Sequence, residues 1–317
     1  MEKLPSFQDV LDAVKRIESF IHRTPVLTCE SLNRIVGTQL FFKCENFQKV
    51  GAFKFRGACN TVFSLTPTEI GRGVATHSSG NHAAALALAA QKRQAKAFIV
   101  MPKNSPAVKK DAVSEYGGEI VYCESTLAAR EQTLNQVIKK TGAIFVHPYN
   151  DARVIAGQGT AALELLEEVP QLDIILVPVG GGGLLSGTAI SAAHLSPTTR
   201  VIAVEPAGAA DAFRSFQTGK IIPSIQPETI ADGLRTSLGE LTFAIIQKYV
   251  SDIVTVSEAT IVKAMRLVWE RMKIVVEPSA AVPLAGLLEN KTNGPQSRVG
   301  IILSGGNVDL ENLPWSN

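Results

Sequence analysis

The stretch Ile174-Ile175-Leu176-Val177-Pro178-Val179-Gly180-Gly181-Gly182-Gly183-Leu184-Leu185-Ser186-Gly187 joins a short apolar, β-branched run to four glycines and then to a helix start. Glycine lets backbone N–H groups turn inward and approach an anion closely. A helix N-terminus adds partial positive charge at the same place. The pattern therefore suits a dianionic phosphate, and it equally suits a tight turn with close strand–helix packing. A dinucleotide is a third reading, with Glu205 at the end of the next strand as the acidic partner. GxGxxG itself does not fit, because Leu185 or Ser186 stands where the third glycine belongs. The looser GxGxxxG fits through Gly181, Gly183 and Gly187, which keeps a nicotinamide-dependent oxidoreductase as an alternative.

Two other segments share this grammar. Ser78-Ser79-Gly80-Asn81-His82 closes the run VATH, and Ser304-Gly305-Gly306-Asn307 closes VGIIL. Each is expected at the carboxyl end of a strand, the edge at which open parallel sheets bind ligands. Strands are expected at 40–43, 74–77, 97–101, 119–122, 144–147, 174–179, 201–204, 253–256 and 299–303. Helices are expected between them, among them 81–91, 105–116, 127–141, 154–168, 185–194 and 258–272. That alternation predicts parallel sheets covered by helices. Upstream, Gly51-Ala52-Phe53-Lys54-Phe55-Arg56-Gly57-Ala58 sets a lysine between two phenylalanines. An apolar setting favours the neutral amine, which can form a Schiff base with an aldehyde. A lysine on the wet face of an amphipathic helix gives the same local pattern.

Together the four motifs resemble the fold-type II family of pyridoxal-phosphate enzymes, in its serine racemase and serine/threonine dehydratase branch. The likeness runs from about Phe7 to Asp309. It implies an α/β fold similar to the tryptophan synthase β chain, with two open, twisted, mostly parallel sheets flanked by helices. A small domain of residues 73–148 would be inserted in a large cofactor-binding domain of residues 1–72 and 149–317. Lys54 would carry pyridoxal 5'-phosphate, and Gly180, Gly181, Gly182, Gly183 and Leu184 would hold its phosphate. Phe53, Asn81 and Ser304 would contact the cofactor, Ser304 through the pyridine nitrogen. Ser78, Ser79, Asn81 and His82 would hold the substrate carboxylate. Ser79 would face the substrate opposite Lys54 as the second acid/base, where plain threonine dehydratases tend to carry alanine. The implied activity is interconversion of L- and D-serine, with elimination to pyruvate and ammonia. The rival within the family is a threonine, serine or hydroxyaspartate dehydratase that does not racemise.

Glu205, Asp211 and the backbone oxygen of Ala209 match a divalent-cation site of relatives, suited to Mg²⁺ or to Ca²⁺ or Mn²⁺. Without the likeness, two carboxylates in EPAGAAD read as solvated loop charges. Lys49, Tyr116, Lys273 and Asn307 match positions of a nucleotide site in some racemases. Cys29, Glu30 and Ala84 do not match, which weakens the case for ATP. Ala83-Ala84 also departs from the glycine and glutamine common in relatives.

Bulk properties agree with a small-molecule enzyme. The 317 residues are 45% hydrophobic, 19% charged and 6% aromatic. The net charge of +2, from 31 basic and 29 acidic residues, offers no footprint for nucleic acid or an anionic membrane. Cys29, Cys44, Cys59 and Cys123 lack CxxC spacing and read as reduced thiols of a cytosolic protein. The beginning MEKLPSFQDV has no signal-peptide core. No apolar run approaches the ~20 residues of a membrane span. A homodimer is expected.

Overall fold

The computed structural model describes residues 4–105, 107–292 and 297–315. Its strands are β1 (Val26–Leu27), β2 (Gln39–Cys44), β3 (Val74–His77), β4 (Ala97–Pro102), β5 (Glu119–Cys123), β6 (Ile144–Phe145), β7 (Ile174–Pro178), β8 (Arg200–Pro206), β9 (Asp252–Val256) and β10 (Arg298–Leu303). They form a six-stranded sheet, in the order β1-β2-β10-β7-β8-β9, and a four-stranded sheet, in the order β5-β4-β3-β6. Every pairing is parallel except that of β1 with β2.

All nine strands expected from the sequence are present, and β1 is an addition. Its two residues are too few to show a period of their own. β7 is buried at every position, as a parallel strand covered by helices on both faces must be. β6 is shorter than expected. The Val146 amide still reaches Ala75 O of β3, but beyond it the backbone turns to side chains: Val146 O bonds His82, and the Tyr149 and Asn150 amides donate to His147 Nδ1. Pro148 has no N–H for a ladder. The expected helices 127–141 and 258–272 have those bounds. The expected 105–116 helix is observed as Ala107–Glu115, with Pro106 outside the described residues.

Lys54 opens the helix Lys54–Ser64, reached from β2 through two 3₁₀ turns. Arg56 in its first turn is fully buried. It donates to Glu45 at 2.7 and 2.8 Å and to Glu164 at 2.7 and 2.8 Å, and Lys43 Nζ joins Glu164 at 2.6 Å. Two cations and two carboxylates thus cancel within the core. They tie β2 and the helix Ala152–Glu168 to the segment that carries Lys54. Burial alone would disfavour the charged guanidinium, but the two carboxylates reverse that and raise its pKa. Removing one partner would strand a buried charge, a loss on the order of 3–5 kcal/mol.

Candidate active site

Parallel strands put the three glycine- or serine-rich loops at carboxyl ends, as the sequence pattern requires. The tetraglycine loop follows β7, Ser304 follows β10, and Ser78-Ser79 follows β3. Lys54 is drawn to the same edge by its neighbours. Phe53 N donates to Ser304 O at 3.0 Å, and Ala52 bridges Gly305.

Lys54 Nζ donates to Pro148 O at 2.8 Å and stands 5.1 Å from the Phe53 ring centre. Burial lowers its pKa to about 8, and the Glu277 carboxylate opposes that shift. Glu277 is itself 5% exposed. Burial and then Asp232 push its pKa up to about 7, against hydrogen bonds from Asn81 and the Asn307 amide. Asn81 Nδ2 lies 3.1 Å from both Glu277 oxygens, and Asn307 Nδ2 donates to Asn81 Oδ1 at 2.9 Å. Nothing in the sequence singled out Glu277, because a glutamate before Pro278 looks like an ordinary helix start. A lone carboxylate closing the apolar run IVVEP was the available signal.

The tetraglycine loop is built too tightly for any side chain. A Cβ on Gly180 would lie 2.8 Å from Leu234 Cα, and one on Gly181 would lie 2.3 Å from the Tyr149 ring. Gly182 has φ +85° and caps the helix Gly183–Leu195 without a side-chain bond to its amides. Those first-turn amides remain available to an anion.

The serine loop is also uncapped. Gly80 is the N-cap of the helix Asn81–Lys92, with no side-chain cap. Ser78 Oγ accepts from Gly80 N at 3.3 Å, while the Ser79 hydroxyl has no partner among the described residues. No serine side chain of SSGNH therefore caps this helix. His82 is buried with its Nε2 on Val146 O at 3.2 Å and its Nδ1 unpartnered. Burial lowers its pKa to about 3. A neutral ring with Nε2–H committed offers Nδ1 only as an acceptor. The His82 backbone amide is then the group suited to a carboxylate. Ser304 is buried, and its hydroxyl has no hydrogen bond among the described residues.

At the end of β8, Glu205 accepts from Ala212 N at 2.9 Å and Phe213 N at 2.8 Å. Asp211 is buried, and neither carboxylate oxygen meets a donor in good geometry, although the nearby Ser224 hydroxyl eases its charge. Burial lifts Glu205 to about 8 and Asp211 to about 6. Ala209 is buried in the intervening turn. No cluster of three or more His, Cys, Asp or Glu side chains suited to a metal occurs among the described residues.

Of the four nucleotide-matching residues, two line one cavity. Tyr116 and Asn307 line a cavity of about 580 Å³ that also touches Asn81. Lys49 Nζ is turned to Phe20 O, and Lys273 lies at the end of the helix Glu258–Met272. The charged lining of that cavity is Lys109, paired to Asp232 at 2.6 Å, with Asp309 and Glu311. One neutralised cation against three carboxylates is a poor fit for a triphosphate.

A half-desolvated lysine amine beside an uncapped glycine cradle, at the carboxyl edge of a parallel sheet, defines an enzyme built for a phosphorylated aldehyde cofactor. Residues 17–305 match the model of the family described as "Pyridoxal-phosphate dependent enzyme", and the chain belongs to that family. It is 52% identical over 313 residues to a β-hydroxyaspartate dehydratase of Paracoccus denitrificans, covering 99% of both chains. It is also 52% identical over 313 residues to a serine racemase of Arabidopsis thaliana, covering 97% of this chain and 94% of that protein. The crystal structure of a serine racemase from Dictyostelium discoideum superposes with a TM-score of 0.93 at 50% identity, covering 96% and 99% of the two chains. No helix among the described residues is long and apolar enough to cross a membrane.

Proposed function

We propose that this chain is a cytosolic serine racemase that also eliminates water from serine. The cofactor, when bound, withdraws electrons from the substrate Cα and so weakens its C–H bond. The chain supplies the rest. The Gly180–Gly183 amides and the helix behind them would hold the phosphate. Phe53, Asn81 and Ser304 would position the ring, with the Ser304 hydroxyl as a polar group offered to it. The Ser78-Ser79 loop and the Asn81 and His82 amides orient the substrate carboxylate. Lys54 carries the Cα proton on one face, and Ser79 carries it on the other. The segment 73–148, which holds the four-stranded sheet, is the smaller domain closing over the cleft.

The observation that carries this reading is the Ser79 hydroxyl, without a hydrogen-bond partner among the described residues at an uncapped helix start, in a chain that also buries the Lys54 amine on Pro148 O. Racemisation needs a proton carrier on each face, and simple elimination from one enantiomer needs only one. The Paracoccus relative supports a second reading, a hydroxyaspartate dehydratase without racemisation. Incubation with L-serine, following D-serine and pyruvate together, tests both. The expected result is that both products appear. Pyruvate alone would favour the dehydratase, and neither product would overturn the proposal.

We assign Glu205, Asp211 and the Ala209 carbonyl to a divalent cation, with Mg²⁺ the first choice. Two buried neighbouring carboxylates, one without good donors, have only the exposed Arg214 as a nearby counter-charge. Their raised pKa values set the sign of the pH effect. In metal-free protein the folded state binds protons that the unfolded state has released, so stability falls as pH rises from about 4 toward 8. Chelation is expected to lower the Tm most at the alkaline end of this range. Mg²⁺ should restore it, by about 2.7 kcal/mol at a hundredfold excess over Kd. Glu205→Ala should abolish the response. A Tm and an activity indifferent to chelator in metal-free protein would remove the site.

A further inference from the structure

Glycine accepts either sign of φ, so the peptide plane between Gly181 and Gly182 is fixed by its contacts rather than by its own backbone preferences. Its two orientations have opposite uses. One offers the Gly182 N–H to an anion. The other turns the Gly181 carbonyl toward the anion and repels it.

Thr242 selects between them. It is fully buried in the first turn of the helix Glu240–Tyr249. Its Oγ1 accepts from Gly239 N at 2.9 Å. Its one proton has two acceptors within reach, Gly181 O at 2.9 Å and Gly239 O at 3.1 Å. Gly239 O already takes Phe243 N at 2.8 Å, whereas Gly181 O meets no other donor among the described residues. The proton therefore belongs on Gly181 O. The peptide is trans, and a planar trans peptide points its C=O and N–H in opposite directions. With Gly181 O drawn to Thr242, the Gly182 N–H is turned away from that helix. Gly182 is buried, and its amide meets no acceptor among the described residues. A buried amide without a partner is rare, and here it is a donor held for a ligand.

The neighbouring chain keeps Thr242 in place. Leu241 N donates to Asn150 Oδ1 at 3.0 Å, and a Cβ on Gly239 would lie 2.2 Å from Asn150 Cγ. Pro148, Tyr149 and Asn150 thus touch three parts of the site in turn. Pro148 O takes the Lys54 amine, the Tyr149 ring lies against Gly181, and Asn150 fastens the helix start that carries Thr242.

We propose that Thr242 is a positioning residue of the glycine cradle, whose hydroxyl holds Gly181 O back and keeps the Gly182 N–H facing the cofactor's phosphate. This rests on the proposed reading that the glycine loop binds that phosphate.

The test titrates the apoenzyme with pyridoxal 5'-phosphate and, separately, with pyridoxal, which lacks the phosphate but can still attach to Lys54. Thr242→Val keeps the shape of the side chain and loses the hydroxyl. It is expected to weaken pyridoxal 5'-phosphate about 10- to 100-fold, the range for one hydrogen bond to a charged group, while pyridoxal binds nearly as before. Thr242→Ala, measured beside it, should show the same loss of preference, and Thr242→Ser should restore it. Inorganic phosphate needs no lysine. It should compete with pyridoxal 5'-phosphate in the wild type and compete more weakly in Thr242→Val. A residue that only closes the helix start would move both aldehydes alike. Equal losses for the two aldehydes, or a wild-type preference in both Thr242→Val and Thr242→Ala, would overturn the assignment of Thr242. A wild type that binds the two aldehydes equally would overturn the phosphate cradle itself, and one that binds neither would overturn the functional reading.

Discussion

Lys54→Ala is expected to abolish D-serine and pyruvate formation from L-serine together, a loss of at least about 10³-fold. General acid–base catalysis by one side chain contributes about 10²–10⁴, and this lysine also anchors the cofactor. The local physics explains why this lysine is suited to the role. Its helix is bolted down by the buried Arg56–Glu45–Glu164–Lys43 network. Its amine rests on Pro148 O, and burial brings its pKa to about 8 from 10.5. The free amine therefore becomes available as pH rises through about 8, well below an ordinary lysine. Attachment of added cofactor to apoenzyme should accelerate up to that pH and level off above it. Borohydride should then fix the cofactor to the peptide containing Lys54. Label on another lysine, or attachment that keeps accelerating to pH 10, would refute the assignment.

The glycine loop, the two serine loops and the lysine were legible because each is a local pattern. Strand, tight turn and helix start lie within about fifteen residues, and period and glycine content mark them. The parallel sheets followed from the same alternation. What stayed hidden depends on contacts across the chain. Glu277 meets Asn81 from 196 positions away. Arg56 meets Glu164 across 108. Tyr149 reads as a loop residue until its ring is seen against Gly181. The nucleotide-matching residues show the converse. Lys49 and Lys273 match by position, yet neither lines the cavity that holds Tyr116 and Asn307. Position within a motif conveys residue type, while the direction of a side chain is decided by packing that the motif does not contain.

The outcome that separates racemase from dehydratase is expected from Ser79→Ala. Among the described residues the Ser79 hydroxyl caps no helix amide and has no hydrogen-bond partner; Gly80 is the N-cap, and Ser78 takes the Gly80 amide. Its removal should therefore change stability by less than about 0.5 kcal/mol. The chemical consequence should be large. Inverting Cα requires a proton taken on one face and returned on the other, and Lys54 can serve only one of them. A serine hydroxyl is a weak acid, so it needs help, which the uncapped amides and dipole at the start of the helix Asn81–Lys92 can give. In Ser79→Ala, D-serine formation from L-serine should fall by about 10²–10⁴-fold, the range for one acid/base group. Pyruvate formation from L-serine should persist, because Lys54 alone can take that Cα proton. Pyruvate from D-serine should fall with racemisation, because its Cα–H points to the other face. Measuring both products from each enantiomer separates these effects within one protein. A uniform drop in all four rates would make Ser79 a binding residue only. Racemisation at the parent rate would mean that the second face is served by another group.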